Sequence, residues 1–203
     1  MIDRRTLLAM CTAAGGAVLL GAALPAAGEV EIGDNGLHIQ DWFLDSFLNL
    51  PDDHAEVTEN GKILAVLFEQ RGCPYCRDLH NINLADPDIK TYMQKHFDVI
   101  QLDLWGSRAV TDFDGAEMEE RALARKWSVN FTPTTVFFPR KLAQTDNKGG
   151  KAEIARIPGY LRPFHFISFL EFVNEGAYES QSFQQFLQVK FENLKRQGIK
   201  PKV

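Results

Sequence analysis

The sequence predicts an α/β domain: a central mixed sheet flanked by helices, with helical extensions at the N- and C-termini. Three observations carry this. The run Lys62–Phe68 (Lys-Ile-Leu-Ala-Val-Leu-Phe) is continuously apolar, as expected of a strand covered on both faces. Phe97–Leu104 is a second such run. Two short β-rich runs, Thr134–Phe138 and Glu153–Ile157, flank Lys148-Gly149-Gly150-Lys151 and read as an antiparallel hairpin. A chain of 203 residues, 45% hydrophobic and 24% charged, suffices for one ordinary domain plus extensions. The net charge of -5 has both signs interspersed, which marks no nucleic-acid surface and argues only for solubility.

Four segments follow from composition. Residues 1–28 open with Arg4 and Arg5, continue through the uncharged Ala/Gly/Leu-rich run Leu7–Leu24, and end on Pro25-Ala26-Ala27-Gly28. That is the order of a cleavable signal peptide, and Asp3-Arg4-Arg5-Thr6-Leu7-Leu8 loosely fits the twin-arginine type. A membrane anchor is the alternative, since about 18 uncharged residues nearly span a bilayer. Residues 29–60 form an N-terminal helical extension, with Asp41 as cap of a helix carrying Trp42, Phe43, Phe47, Leu48 and Leu50 until Pro51 ends it. Residues 61–175 form the main domain, and 176–203 a C-terminal helix.

Within the main domain, Gln70-Arg71-Gly72 turns the first strand into Cys73. Asp86-Pro87 caps a helix bearing Ile89, Tyr92, Met93 and His96. After the second strand, Gly106–Gly115 reads as a polar loop and Glu117–Trp127 as a charged helix with Met118, Ala122, Leu123 and Trp127 inward. Arg162-Pro163 starts an amphipathic helix with Phe166, Phe169, Leu170 and Val173 on one face. Beyond Gly176, Phe183, Phe186, Leu187, Phe191 and Leu194 stripe a last helix. From Lys62 the order is β, α, α, β, α, β, β, α.

Cysteine usage points to the chemistry. Cys11 lies in the N-terminal apolar run and would leave with it, so the exported chain keeps only Cys73 and Cys76. So small a loop stabilises little as a structural disulfide, and a redox role is the better reading. Cys73-Pro74-Tyr75-Cys76 follows a buried strand through Gly72 and opens a helix, whose unpaired N–H groups favour an anionic sulfur. Cys73 is therefore read as the exposed attacking nucleophile and Cys76 as the shielded resolving thiol. Pro74 suits a first helical turn, and Arg77 reads as a solvated cation. A zinc site would need four ligands and only His80 is near enough for a third, so no metal and no cofactor are expected.

Residues from about Lys62 to Val173 resemble the thioredoxin-like superfamily, most nearly the exported SoxW-like thioredoxins of sulfur-oxidation gene clusters. The likeness rests on Arg71-Gly72-Cys73-Pro74-Tyr75-Cys76, Val110-Thr111-Asp112-Phe113, Ala124-Arg125-Lys126-Trp127-Ser128-Val129, Thr132-Pro133-Thr134, Pro158-Gly159-Tyr160 and Glu175-Gly176-Ala177-Tyr178. The resemblance implies a thioredoxin fold, a cis bond before Pro133, and Thr132 as the residue whose backbone meets substrate. It also implies a periplasmic dithiol reductase with oxidised exported proteins as substrates and a CcdA- or DsbD-like membrane thiol carrier as electron donor. A monomer is expected, and no nucleic-acid partner.

Two departures accompany the likeness. Thioredoxins carry a buried acid where this chain has Leu67; Glu69 is the nearest acid and a candidate for proton transfer. Gly72 replaces the usual Trp before the first cysteine. Cys-Pro-Tyr-Cys is also the glutaredoxin sequence, but the Gly-Gly-x-x-Asp segment that binds glutathione is missing after Pro133. A Dsb-type oxidase or isomerase and a non-catalytic binding module remain as alternatives. The flanks carry no titratable cluster, so 62–173 should suffice for the chemistry while the flanks select partners or simply pack.

Overall fold

The computed structural model describes residues 30–142 and 152–200. The signal-peptide reading of 1–28 and the Lys148–Lys151 turn lie outside the described residues. Among the described residues, no helix is long and apolar enough to cross a membrane.

The central strand β1 (Ile63–Glu69) is buried at all seven positions, as its uninterrupted apolar run requires. It pairs in parallel with β2 (Phe97–Asp103) and antiparallel with β5 (Thr134–Phe137), which pairs antiparallel with β6 (Ala155–Pro158). The sheet order β2-β1-β5-β6 is thus mixed. Alternation along β1 divides the core in two. Leu64, Val66 and Phe68 face one layer with Phe113, Leu123, Trp127 and Phe138. Ile63, Ala65 and Leu67 face the other, with Leu79, Ile89, Met93, Phe166 and Leu170.

The second layer is built by α2 (Pro74–Asp78), which runs on into a π-helical turn Leu79–Asn83, by α3 (Pro87–His96) and by α5 (Pro163–Asn174). Asp86 caps α3 through the backbone N–H groups of Asp88 and Ile89. The C-terminal α6 (Phe183–Arg196) starts with a capping box between Ser182 and Gln185 and lays Phe183 and Phe186 on Phe172 of α5.

Three expectations are corrected. No helix spans Asp41–Leu50; α1 covers Leu50–Glu59, and Pro51 sits in its first turn, where the missing N–H costs nothing, instead of ending a helix. Residues 30–49 form no regular element, running through turns at 34–35 and 41–42 and the isolated bridges Ile32–His38 and Asn49–Thr111. The Leu44 N–H donates to Val99 O of edge strand β2, and the Thr111 N–H donates to Leu48 O. The loop 106–115 holds β3 (Ala109–Thr111), which pairs with β4 (Glu117–Glu119) around a turn closed by the Gly115 N–H donating to Asp112 O at 2.8 Å. The following helix α4 is accordingly shorter, Glu120–Lys126. Buried Val110 gives the hairpin its reason, since it completes the first layer.

Candidate active site

Gly72 has φ 71°, a left-handed turn that glycine enters without a Cβ clash, and it swings the chain from β1 into α2. Cys73 is the N-cap of α2 with extended backbone, and Pro74 fills the first turn. The geometry brings Cys73 and Cys76 into a disulfide with Cα atoms 5.2 Å apart. The Cys76 N–H donates to Cys73 Sγ at 3.1 Å, which is the local donor a Cys73 thiolate would use once the disulfide opens. Cys73 retains 5% of its surface and Cys76 none, so the nucleophile reading meets a sulfur more accessible than its partner yet largely covered.

What covers Cys73 is the other half of the site. The Thr132-Pro133 bond is cis. Thr132 places its carbonyl oxygen 3.5 Å and its hydroxyl 3.4 Å from Cys73 Sγ. Pro133 O accepts from the Gly159 N–H at 2.8 Å, tying the loop to the end of β6. Tyr75 projects outward, 59% exposed, and stacks on Tyr160 at 6.2 Å. Tyr160 in turn donates to Asn83 Oδ1 at 3.0 Å, and burial lifts its phenol above the ordinary value of 10.0. Asn83 closes the link by donating to Leu161 O at 2.8 Å, so the end of the active-site helical segment is fastened to the β6–α5 connection. Trp105 and Phe131 stand exposed beside these turns, Trp105 donating to Gln70 Oε1 at 2.9 Å. Arg77 pairs with its neighbour Asp78, at 3.1 Å on the outside of the helix.

Glu69 is fully buried at the end of β1, on the same face as Leu67. Both of its carboxylate oxygens lie 3.0 Å from His80 Nε2, and Gln101 Nε2 donates to Oε2. Sequence reasoning weighed His80 only as a third zinc ligand and missed this pairing. The signal was present as spacing: Glu69 alternates with Leu67 along the strand, and His80 follows Cys76 by one helical turn. Gln101 and the residues of 38–42 that complete the surroundings carry no such signal.

The N-terminal extension reaches this place as well. His38 stacks on His80 at 4.9 Å, so the flank does contribute to a titratable cluster. The ligand atoms of His38, Glu69 and His80 lie within 4.8 Å of one another, a set that could in principle hold a metal ion. The donor pattern speaks against it. Trp42 Nε1–H, which can only donate, faces Gln40 Oε1 at 2.8 Å, so Gln40 turns its NH2 to His80 Nδ1 at 3.0 Å. A metal-ligating histidine normally donates its second nitrogen's proton outward; here that nitrogen is offered a donor.

A sequence family described as thioredoxin-like domain matches residues 50–174. Among solved structures, a thioredoxin-fold protein from Helicobacter pylori is 23% identical, covering 66% of this chain and 82% of its own, with a TM-score of 0.48. A thioredoxin from Thermus thermophilus is 25% identical over 62% of this chain and 83% of its own, with a TM-score of 0.47. The oxidised C-terminal domain of DsbD from Neisseria meningitidis is 14% identical over 60% of this chain and 89% of its own, at 0.40. No curated protein matches the chain.

Proposed function

Since the chain belongs to the thioredoxin-like domain family, we propose that it is a thiol–disulfide oxidoreductase acting through Cys73 and Cys76. The observation that carries this reading is the disulfide at the start of α2 with Thr132 seated against Cys73 Sγ. In the reduced enzyme, Cys73 attacks a substrate disulfide, forming a mixed disulfide and expelling one substrate thiolate. Cys76 then attacks Cys73 Sγ, releasing the second substrate thiolate and closing the Cys73–Cys76 bond. Two electrons pass from the dithiol to the substrate.

The finer reading is a periplasmic reductase of the SoxW-like kind, exported by its cleavable signal peptide and working as a monomer. Oxidised exported proteins are its substrates, and a membrane thiol carrier of the CcdA or DsbD type re-reduces it. Its support is the likeness of Arg71–Cys76, Thr132–Thr134 and Pro158–Tyr160 and the signal-like order of residues 1–28. The deciding measurement is the redox potential of the Cys73–Cys76 couple, with its oxidation state in freshly isolated periplasm. A potential near that of thioredoxin, about -270 mV, with cysteines reduced in periplasm supports the reductase. A potential near about -120 mV with cysteines oxidised would make it a Dsb-type oxidase. Retention in the cytoplasm would refute export.

A further inference from the structure

We propose that Trp105 is a specificity-determining residue of the redox site. With Phe131 it walls the approach to Cys73 and selects polypeptide disulfides whose cysteine has a bulky apolar side chain two residues away. This rests on the oxidoreductase reading above.

The argument begins with the exposed rings. Among the described residues, the exposed aromatic side chains of Phe, Tyr and Trp are Phe47, Tyr75, Trp105, Phe131 and Phe191. Three of these gather at the disulfide. Tyr75 lies between the two cysteines and Phe131 adjoins Thr132, which touches Cys73 Sγ. Trp105 Nε1 donates to Gln70 Oε1 at 2.9 Å, and Gln70 O accepts from the Cys73 N–H at 3.4 Å. Aromatic rings left in solvent around a reactive group mark a surface that a partner covers.

The topology explains the placement. β1 and β2 run parallel and end at one edge of the sheet, where antiparallel β5 begins. Trp105 follows β2 and Phe131 precedes β5, so the two flank the end of β1, where the chain turns into Cys73. The turn itself offers no wall on the β2 side. Gly72 has no side chain, and the Arg71 side chain lies against Gly36, where a Cβ would meet it. Trp105 supplies that wall from a different strand.

The turn that carries Trp105 is fastened by a buried acid. Glu120 is 1% exposed, and its carboxyl accepts from the Asp103 N–H at 2.9 Å and the Arg108 N–H at 3.2 Å. It also pairs with the Arg108 guanidinium at 2.6 Å, and a Cβ on Gly106 would run into it. Within the turn, the Trp105 N–H donates to Asp103 Oδ1 and the Gly106 N–H to Asp103 O, both at 2.9 Å. A buried carboxyl is costly unless hydrogen bonds satisfy it, and here those bonds fix a turn whose exposed side chain is an indole. A ring held in place beforehand loses little freedom when a ligand covers it.

Spacing names the substrate. Neighbouring strands lie about 4.8 Å apart, so walls rooted one strand to either side of β1 leave room for an extended segment over Cys73. In such a segment, residues two apart share a face and stand about 6.7 Å from one another. A substrate cysteine that faces Cys73 therefore turns the side chains two positions away toward the rings. Bulky apolar side chains there lose water against the indole and phenyl faces, and alanine leaves those faces wet.

The test uses the full chain in reduced form with an excess of either of two symmetrical peptide disulfides. One heptapeptide carries leucine two residues before and two residues after its central cysteine, and the other carries alanine at both places. Acid quenching, alkylation and mass spectrometry give the rate at which each oxidises the protein. The parent should prefer the leucine peptide by about tenfold, the yield of one leucine-sized side chain covered by a ring. Trp105→Ala should lose most of that preference and Trp105→Phe should keep most of it. Equal rates for the two peptides in the parent would overturn the inference. So would an unchanged preference in Trp105→Ala with parental far-UV circular dichroism, or a preference lost in Phe131→Ala alone. A parent oxidised by neither peptide would instead remove the oxidoreductase reading on which all this stands.

Discussion

Thr132 and Cys73, 59 residues apart in sequence, meet with the threonine hydroxyl 3.4 Å and its carbonyl 3.5 Å from Cys73 Sγ. The contact joins the start of α2 to the loop before β5. It gives the sulfur a second hydrogen-bond donor beside the Cys76 N–H. A hydrogen bond to a charged group contributes about 1.5–3 kcal/mol, and the lower figure is about a factor of ten in an equilibrium. Thr132→Val should therefore slow alkylation of Cys73 near neutral pH about tenfold while leaving the fold intact. Iodoacetamide kinetics on the reduced protein measure it, and an unchanged rate would mean that the hydroxyl turns away from the thiolate.

The asymmetry of the two sulfurs leads to a second expectation. Cys73→Ser should abolish disulfide reduction, because the accessible member of the pair is gone. Cys76→Ser should still attack but fail to resolve, so mixed disulfides with substrates accumulate. Non-reducing gels after alkylation distinguish the two. Adducts in Cys73→Ser and none in Cys76→Ser would reverse the roles.

How far such features could be read in advance depends on whether the signal is local. Ile63–Glu69 is legible to within a residue because seven consecutive buried positions leave an unbroken apolar run. The redox pair is legible because Gly72, Cys73, Pro74 and Cys76 each serve the same strand-to-helix turn. The hairpin that begins inside 106–115 was not legible, because strands of three residues are too short for alternation to reveal. Pro51 is ambiguous in principle, since a proline after an apolar run fits either the end of one helix or the first turn of the next. The Gln40–His80 contact is the opposite case. Two polar residues 40 apart meet only because a segment with no regular element, and no periodicity of its own, crosses near the edge of β2.

Stability should depend on pH through His54. Burial beside Phe113 holds its imidazole below the ordinary 6.5, outweighing the raising effect of its hydrogen bond to Pro139 O at 2.6 Å. Below 6.5 the unfolded chain then binds the proton more readily than the native one. The stabilisation is complete above that value and is lost as pH falls beneath it. His96 is lowered in the same sense by desolvation, with Lys95 and Arg140 adding to it. Asp53 works the other way, since burial raises it from 3.8 and its contribution weakens as pH rises from there. Urea midpoints should therefore climb as pH rises towards 6.5, and His54→Gln, which keeps a donor for Pro139 O, should flatten the climb. A slope unchanged in that variant would place the titration elsewhere.

The last prediction concerns α6, whose aromatic stripe reads equally as a docking face or as structural cover. The contacts favour cover. Phe183 lies 4.8 Å from Phe169 and 5.6 Å from Phe172, and Phe186 lies 5.6 Å from Phe172. Lys190 pairs with Glu171 and sits 5.5 Å above the ring of Phe164. Removing 176–203 would bare this face of α5. Phe183 and Phe186 are partly buried, and a fully buried side chain of that size contributes about 1.5–3 kcal/mol, so the two together should account for about 2–4 kcal/mol. The redox pair and Thr132 lie outside the deleted segment, so the truncated protein should reduce insulin normally at low temperature and unfold at a clearly lower temperature. Thermal melts and insulin turbidity on the same preparation give both readings. Unchanged melting with lost capture of exported partners by the Cys76→Ser form would show that α6 is a docking element instead.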